Sequence, residues 1–151
     1  MAHDPADIRN WQRRPDGITT SGKLEPGDPA RLAAIGVRHV VNLALDTHPE
    51  ALADEAVLMA AAGIAYTHIP VPFDAPARDH VAALAQAIAA NPGPHHVHCI
   101  MNWRVTAFFY LLDRAAGVPE AEARARMTMV WNPLEDERAP QVWRALLTSE
   151  S

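Results

Sequence analysis

Val97-His98-Cys99-Ile100-Met101-Asn102-Trp103-Arg104-Val105-Thr106 is the stretch that decides the fold. His95 to His98 read as a short strand ending at Cys99. Arg104 to Ala116 are apolar nearly all round, the pattern of a helix buried in the middle of a domain. A strand thus delivers a thiol into a tight loop, and a helix starts at once. Such a join brings free backbone N–H groups of loop and helix N-terminus to one point, which is an anion site. Arg104, near that N-terminus, adds a planar fork suited to two oxyanion oxygens. The same positive surroundings favour the thiolate form of a cysteine. A thiolate on the floor of an oxyanion cradle is a nucleophile aimed at a tetrahedral anion. The plainer reading of Cys99 is a small buried hydrophobe at a strand end.

Outward from this stretch, strands and helices alternate. Asp28 to Gly36 reads as a helix, with Asp28 as its cap, Pro29 in its first turn and Gly36 at its end. Val37 to Leu43 reads as a strand, Pro49 to Ala62 as a helix closed by Gly63, and Ile64 to Ile69 as a further strand. Pro70, Pro72 and Pro76 enforce a loop around Phe73-Asp74. Arg78 to Ala90 carries Val81, Leu84, Ala85 and Ile88 at helical spacing. Glu120 to Val130 and Pro140 to Leu147 are two more helices. This alternation predicts an α/β domain with a parallel-type central sheet flanked by helices. Ligands of such sheets bind beyond the carboxyl ends of the strands, where the Cys99 and Asp74 loops both fall.

The chain has 151 residues, 49% hydrophobic and 21% charged, which is the composition of one globular domain. We expect an arm over residues 1–16, the domain over 17–147 and a frayed tail over 148–151. Thirteen basic against 18 acidic residues give a net charge of −5. Nucleic acid is therefore not an expected partner, since phosphate-backbone binding needs clustered Lys and Arg. The first residues hold no apolar stretch of signal-peptide length and no run is long enough to span a bilayer, so the expectation is a cytoplasmic protein. Cys99 is the one cysteine, which excludes an internal disulfide and a Cys-rich zinc site.

Asp74 is the one acid within residues 70–76, and its plainer reading is a turn or capping role. Asp79 stands in the first turn of a helix, where an acid serves the helix dipole. His95, His96 and His98 invite a metal reading. Successive strand residues face opposite ways, however, so His96 and His98 share a face and His95 does not. Without three convergent ligands, hydrogen-bonded or exposed histidines are the simpler reading, and no metal or organic cofactor is expected. Trp103 either walls the pocket or folds outward onto protein. Trp131 reads as packing at a helix end.

Taken together, Ile18-Thr19-Thr20-Ser21-Gly22, Val40-Val41-Asn42-Leu43, Pro70-Val71-Pro72-Phe73-Asp74 and Val97-His98-Cys99 with Arg104 resemble the cysteine-dependent tyrosine and dual-specificity phosphatase superfamily. The chain is most similar, over about residues 16–146, to a bacterial branch related to the domain fused to some β-lactamase-like hydrolases. The resemblance implies that Cys99 is the nucleophile of a phosphocysteine mechanism and Arg104 the phosphate clamp. It implies that His98 tunes the thiolate, and that Asp74 protonates the leaving oxygen and then activates water. Residues Ile100, Met101, Asn102 and Trp103 would form the phosphate loop, with a phosphorylated small molecule or phosphoprotein as partner. The superfamily places five residues between Cys and Arg, one of them Gly, and Ser or Thr directly after Arg. Here four intervene, none is Gly, and the hydroxyl comes one place later at Thr106. Asn102 is the residue able to adopt a left-handed conformation in place of Gly. The shortened form is typical of the bacterial branch. The same Cys-x4-Arg count also resembles rhodaneses, which carry a persulfide on Cys. A third reading is a phosphatase-fold module that binds an anion or partner without turnover.

Overall fold

Strands β1 (Gln12–Arg13), β2 (Thr19–Ser21), β3 (His39–Asn42), β4 (Ala65–His68) and β5 (His95–His98) make one sheet in the computed structural model, which describes residues 3–149. Their order is β1-β2-β5-β3-β4, antiparallel only between β1 and β2. The helices are α1 (Asp28–Ala34), α2 (Glu55–Ala61), α3 (Arg78–Ala90), α4 (Trp103–Ala115), α5 (Glu120–Thr128) and α6 (Gln141–Thr148). This is the expected α/β architecture with a parallel-type sheet between helices.

Alternation along the strands separates two cores. Val41 and Val97 face the core that includes Leu84, Phe108 and Trp143, while Val40 faces the one containing Leu32, Met59 and Ile64. Helix α4 buries Val105 to Tyr110 almost completely, as its apolar sequence predicts. Residues Asn42 and His98 are register partners at the carboxyl ends of β3 and β5.

Two local expectations are corrected. Asp28 is the first helical residue rather than the cap, and its carboxylate accepts from the Glu25 N–H at 2.7 Å. Helix α2 starts at Glu55, not near Pro49, because residues 47–54 are spent in turns. One of these turns is closed by the Glu50 N–H donating to His48 Nδ1 at 3.0 Å. The expected arm is packed onto the domain through its described residues. Ile8 is buried beside Leu24 and Leu32, and Trp11 stacks on His96 with ring centroids 5.1 Å apart. Burying one such aliphatic side chain stabilises by about 1.5–3 kcal/mol, enough to hold a short segment down. Of the expected frayed tail, Thr148 ends α6 and Ser149 accepts from Arg78, while residues 150–151 lie outside the described residues.

Candidate active site

Loops at the carboxyl ends of β3, β4 and β5 enclose a cavity of about 300 Å³. Leu45, Thr47 and His48 come from the first, Phe73 from the second, and Cys99, Ile100, Met101 and Trp103 from the third, with Arg104 beside them. Cys99 is fully buried at its floor. A larger cavity of about 680 Å³ lies between β1 and helices α4 and α5. It holds no nucleophilic cysteine, and its arginines are already paired: Arg13 with Asp4, Arg14 and Arg126 with Asp113. Chemistry, not size, therefore singles out the smaller cavity.

The loop carbonyls are claimed from outside. The Cys99 carbonyl lies 3.3 Å from His98 Nδ1. The Ile100 carbonyl accepts from the Lys23 N–H at 2.9 Å and from Arg9 Nη1 at 3.4 Å. That of Met101 accepts from Asn10 Nδ2 at 2.9 Å. The C=O and N–H of a trans peptide point opposite ways. Tying these three carbonyls back therefore turns the N–H groups of Ile100, Met101 and Asn102 toward the cavity side. Among the described residues, the N–H groups of residues 100–105 find no acceptor. Unclaimed N–H groups of this kind, where a loop enters a helix, are donors suited to an anion.

Asn102 takes φ +66°, the left-handed conformation anticipated for it, just before α4. Its Nδ2 donates to the Asn10 carbonyl at 2.8 Å and to Thr20 Oγ1 at 3.0 Å, whereas its buried Oδ1 has no partner. Thr106 spends its hydroxyl on the Asn102 and Trp103 carbonyls, at 3.0 and 3.2 Å, and so belongs to the first turn of α4.

Arg104 is the one buried arginine among the described residues, and no carboxylate pairs with it. Its Nη1 donates to the Val71 carbonyl at 2.8 Å, and its guanidinium lies 5.9 Å from the Phe73 ring centroid. A buried cation without a counter-charge is costly, and an anion in the cavity offsets that cost.

Phe73 and Asp74 occupy one turn but part company. The Phe73 ring lines the cavity, whereas Asp74 is exposed and makes no hydrogen bond or ion pair among the described residues. The turn is held by Trp143 of α6, whose Nε1 donates to the Phe73 carbonyl at 2.7 Å. Trp103 does both things expected of it as alternatives: it walls the cavity and stacks on Trp131 at 5.0 Å. Trp131 is packed, and its Nε1 donates to Asp136.

The histidines are buried and bonded. His96 sits between the Thr19 and Ser21 hydroxyls, each 2.8 Å away, and burial pushes its pKa far below the usual imidazole range. His39 and His95 face each other through Nδ1 at 2.9 Å. Burial and the neighbouring His95 lower His39 to about 4. No group of three or more metal-ligating side chains is brought together among the described residues. His98 instead meets Glu55, with Nε2 2.6 Å from Oε2.

Sequence reasoning did not single out Arg9, Asn10, Glu55 or Trp143. Gly22 entered only within a quoted stretch. A Cβ on Gly22 would stand 2.5 Å from the Ile100 carbonyl, so only glycine fits behind the cysteine loop.

The parallel-type sheet carries the cysteine loop and the buried arginine at its carboxyl end, an architecture shared with solved phosphatase structures. The chain belongs to the family described as beta-lactamase hydrolase-like protein, phosphatase-like domain, whose model matches residues 12–117. A crystal structure from Shewanella putrefaciens CN-32, described as a "Putative phosphatase", is 30% identical. Its TM-score is 0.78, and the match covers 93% of this chain and 88% of that one. Two more distant structures share the fold. Pseudomonas aeruginosa TpbA in complex with phosphotyrosine is 20% identical, with TM-score 0.71 and coverage of 100% and 89%. The catalytic core of the Saccharomyces cerevisiae PP-IP phosphatase Siw14 in complex with citrate is 11% identical, with TM-score 0.74 and coverage of 95% and 86%. No curated protein matches the chain by sequence. No described helix is long and apolar enough to cross a membrane.

Proposed function

We propose that this phosphatase-like domain hydrolyses phosphomonoesters through a phosphocysteine at Cys99. The observation that carries the reading is the convergence on one cavity of a buried thiol, a buried arginine without a carboxylate partner and a run of unclaimed amides. The Cys99 thiolate attacks phosphorus, and the ester oxygen departs with a proton that we assign to Asp74. Water then attacks the phosphocysteine while Asp74 takes its proton, which releases inorganic phosphate and restores the thiolate. Arg104 and the amides of residues 100–105 carry the charge that develops on the equatorial oxygens.

The walls favour an aryl ester. Phe73, Trp103, Leu45 and Met101 are apolar, and Arg104 is the only Lys or Arg among the residues lining the cavity. One phosphoryl group on an aromatic body matches that lining better than a polyphosphate does. A phosphotyrosine-type residue or a small aryl phosphate is the substrate class.

The test is hydrolysis of p-nitrophenyl phosphate. The wild-type chain turns over and Cys99→Ser is inactive; Asp74→Asn, assayed on phenyl phosphate with its poor leaving group, is slowed about 10²-fold or more, as for loss of a general acid. Undiminished turnover in Cys99→Ser removes the nucleophile assignment. The short loop also suits a sulfurtransferase. In that case thiosulfate adds one sulfur to Cys99 by intact mass, and cyanide removes it. A binding module does neither, yet phosphate still protects Cys99 from alkylation.

A further inference from the structure

Glu55 is a buried carboxylate with no part in the chemistry above. It opens helix α2, on the face of the sheet opposite α4, and reaches the residue just before the nucleophile. Its Oε2 lies 2.6 Å from His98 Nε2, and its Oε1 accepts from Asn42 Nδ2 at 3.4 Å. Asn42 is the register partner of His98, so carboxylate, amide and imidazole close one buried network at the ends of β3 and β5. Tyr66 borders it, with its hydroxyl 3.2 Å from Asn42 Nδ2.

The other ring nitrogen of His98 faces the Cys99 carbonyl at 3.3 Å. A carbonyl can only accept, so this contact is a hydrogen bond only when Nδ1 carries a proton. The Glu55 contact is compatible with that proton: a ring protonated on both nitrogens donates Nε2–H to the carboxylate while Nδ1–H faces the carbonyl. A ring that carries its proton on Nε2 alone satisfies Glu55 but leaves the Cys99 carbonyl unheld, so the ring protons decide between the two.

We propose that Glu55 is a positioning residue for the anion cradle. It holds the His98 ring so that Nδ1–H fixes the Cys99 carbonyl, and that peptide plane in turn aims the Ile100 N–H into the cavity. Neighbouring amides have other holders: Lys23 and Arg9 on the Ile100 carbonyl, Asn10 on that of Met101. The proposal rests on the phosphate-site reading, and its test separates the two.

The experiment titrates inorganic phosphate into the full chain and follows the backbone amides by NMR, beside p-nitrophenyl phosphate kinetics. In the wild type, the amides of Ile100, Met101 and Asn102 all respond. Glu55→Leu keeps the volume and removes the hydrogen bond; Glu55→Gln keeps a group that can donate to Nε2. In Glu55→Leu the Ile100 response is lost while that of Asn102 persists. There kcat falls about tenfold, as for partial loss of one oxyanion donor, with KM within about twofold. Glu55→Gln recovers most of both. A wild-type Ile100 response in a folded Glu55→Leu chain overturns the proposal and leaves the phosphate reading standing. Loop amides that ignore phosphate in the wild type overturn both. Should Glu55→Leu not fold, ring-nitrogen NMR of wild-type His98 decides: a proton on Nδ1 supports the proposal, and a proton on Nε2 alone overturns it.

Discussion

Asn10 and Asn102 grip each other's backbone, both from the left-handed region, with φ +52° and +66°. The side chain of Asn102 donates to the Asn10 carbonyl at 2.8 Å, and that of Asn10 donates to the Met101 carbonyl, the peptide entering Asn102, at 2.9 Å. This clasp joins a segment near the N-terminus to the middle of the cysteine loop. It supplies from outside some of the order that a glycine-bearing loop would obtain from its own conformation.

Asn10→Gly is the clean probe of the clasp. Glycine keeps the positive φ at no steric cost, so the change removes only the side-chain donor. An exposed hydrogen bond of this kind contributes about 0.5–1.5 kcal/mol. We expect kcat for p-nitrophenyl phosphate to fall about three- to tenfold, with Tm lowered by a few degrees at most. A variant with unchanged kcat would show that the Met101 carbonyl needs no external holder.

Gly22→Ala tests the contact behind the loop. The added methyl would meet the Ile100 carbonyl oxygen at 2.5 Å, and backbone at that distance must move. Ile100 also takes its hydrogen bond from Lys23, next in the chain, so the loop cannot shift without losing that bond. The expected outcome is a destabilisation of about 1–3 kcal/mol in urea unfolding, the range for overpacking. Turnover should fall more than tenfold. Equal stability and activity in the alanine variant would mean that the β2 end and the cysteine loop separate easily.

How much of this was legible depended on where the cause lies in the chain. Helices α3 and α4 announce themselves through local periodicity, and Cys99, Asn102 and Arg104 through their place between a strand and a helix. The role of Ile8 and Trp11 is different. They are isolated apolar residues in a polar stretch, and only the sheet face they cover, with His96 beneath Trp11, explains them. Glu55 falls inside the helix read over Pro49 to Ala62, and nothing marks it until His98, distant in sequence, is seen against it. Gly22 carries no positive φ to mark it; its necessity comes entirely from the Ile100 carbonyl. The start of α2 was misplaced because turn residues 47–54 lie beside a helical pattern that does not itself reveal where winding begins.

Trp143→Phe addresses the Asp74 turn. Phenylalanine keeps most of the ring in a fully buried position and removes the N–H held by the Phe73 carbonyl at 2.7 Å. The turn then loses its tie to α6. If Asp74 delivers a proton to the leaving oxygen, a looser turn matters most when the leaving group is poor. We expect phenyl phosphate turnover to fall several-fold more than p-nitrophenyl phosphate turnover, because the latter's leaving oxygen needs little protonation. An equal loss on both esters would assign Trp143 to stability alone.

Acid should weaken the fold in a window set by histidines rather than by carboxylates. Burial, with a contribution from His95, holds His39 down to about 4 from an ordinary 6.5, and burial also lowers His95 and His96. These rings are neutral in the folded chain but take up protons near pH 6.5 once unfolded. The unfolded state therefore binds more protons as the pH falls below 6.5, and stability falls with it. The contribution is fully present above about pH 6.5 and is lost progressively toward pH 4, with His39 itself charging in the folded state near the lower end. The His39–His95 contact sharpens the effect, since two facing Nδ1 atoms at 2.9 Å need one proton between them and cannot accommodate two. Urea midpoints measured at pH 7, 6 and 5 should decline steadily, with net proton uptake on unfolding at pH 5. Midpoints that stay level across that interval would contradict the neutral, buried histidines described for β3 and β5.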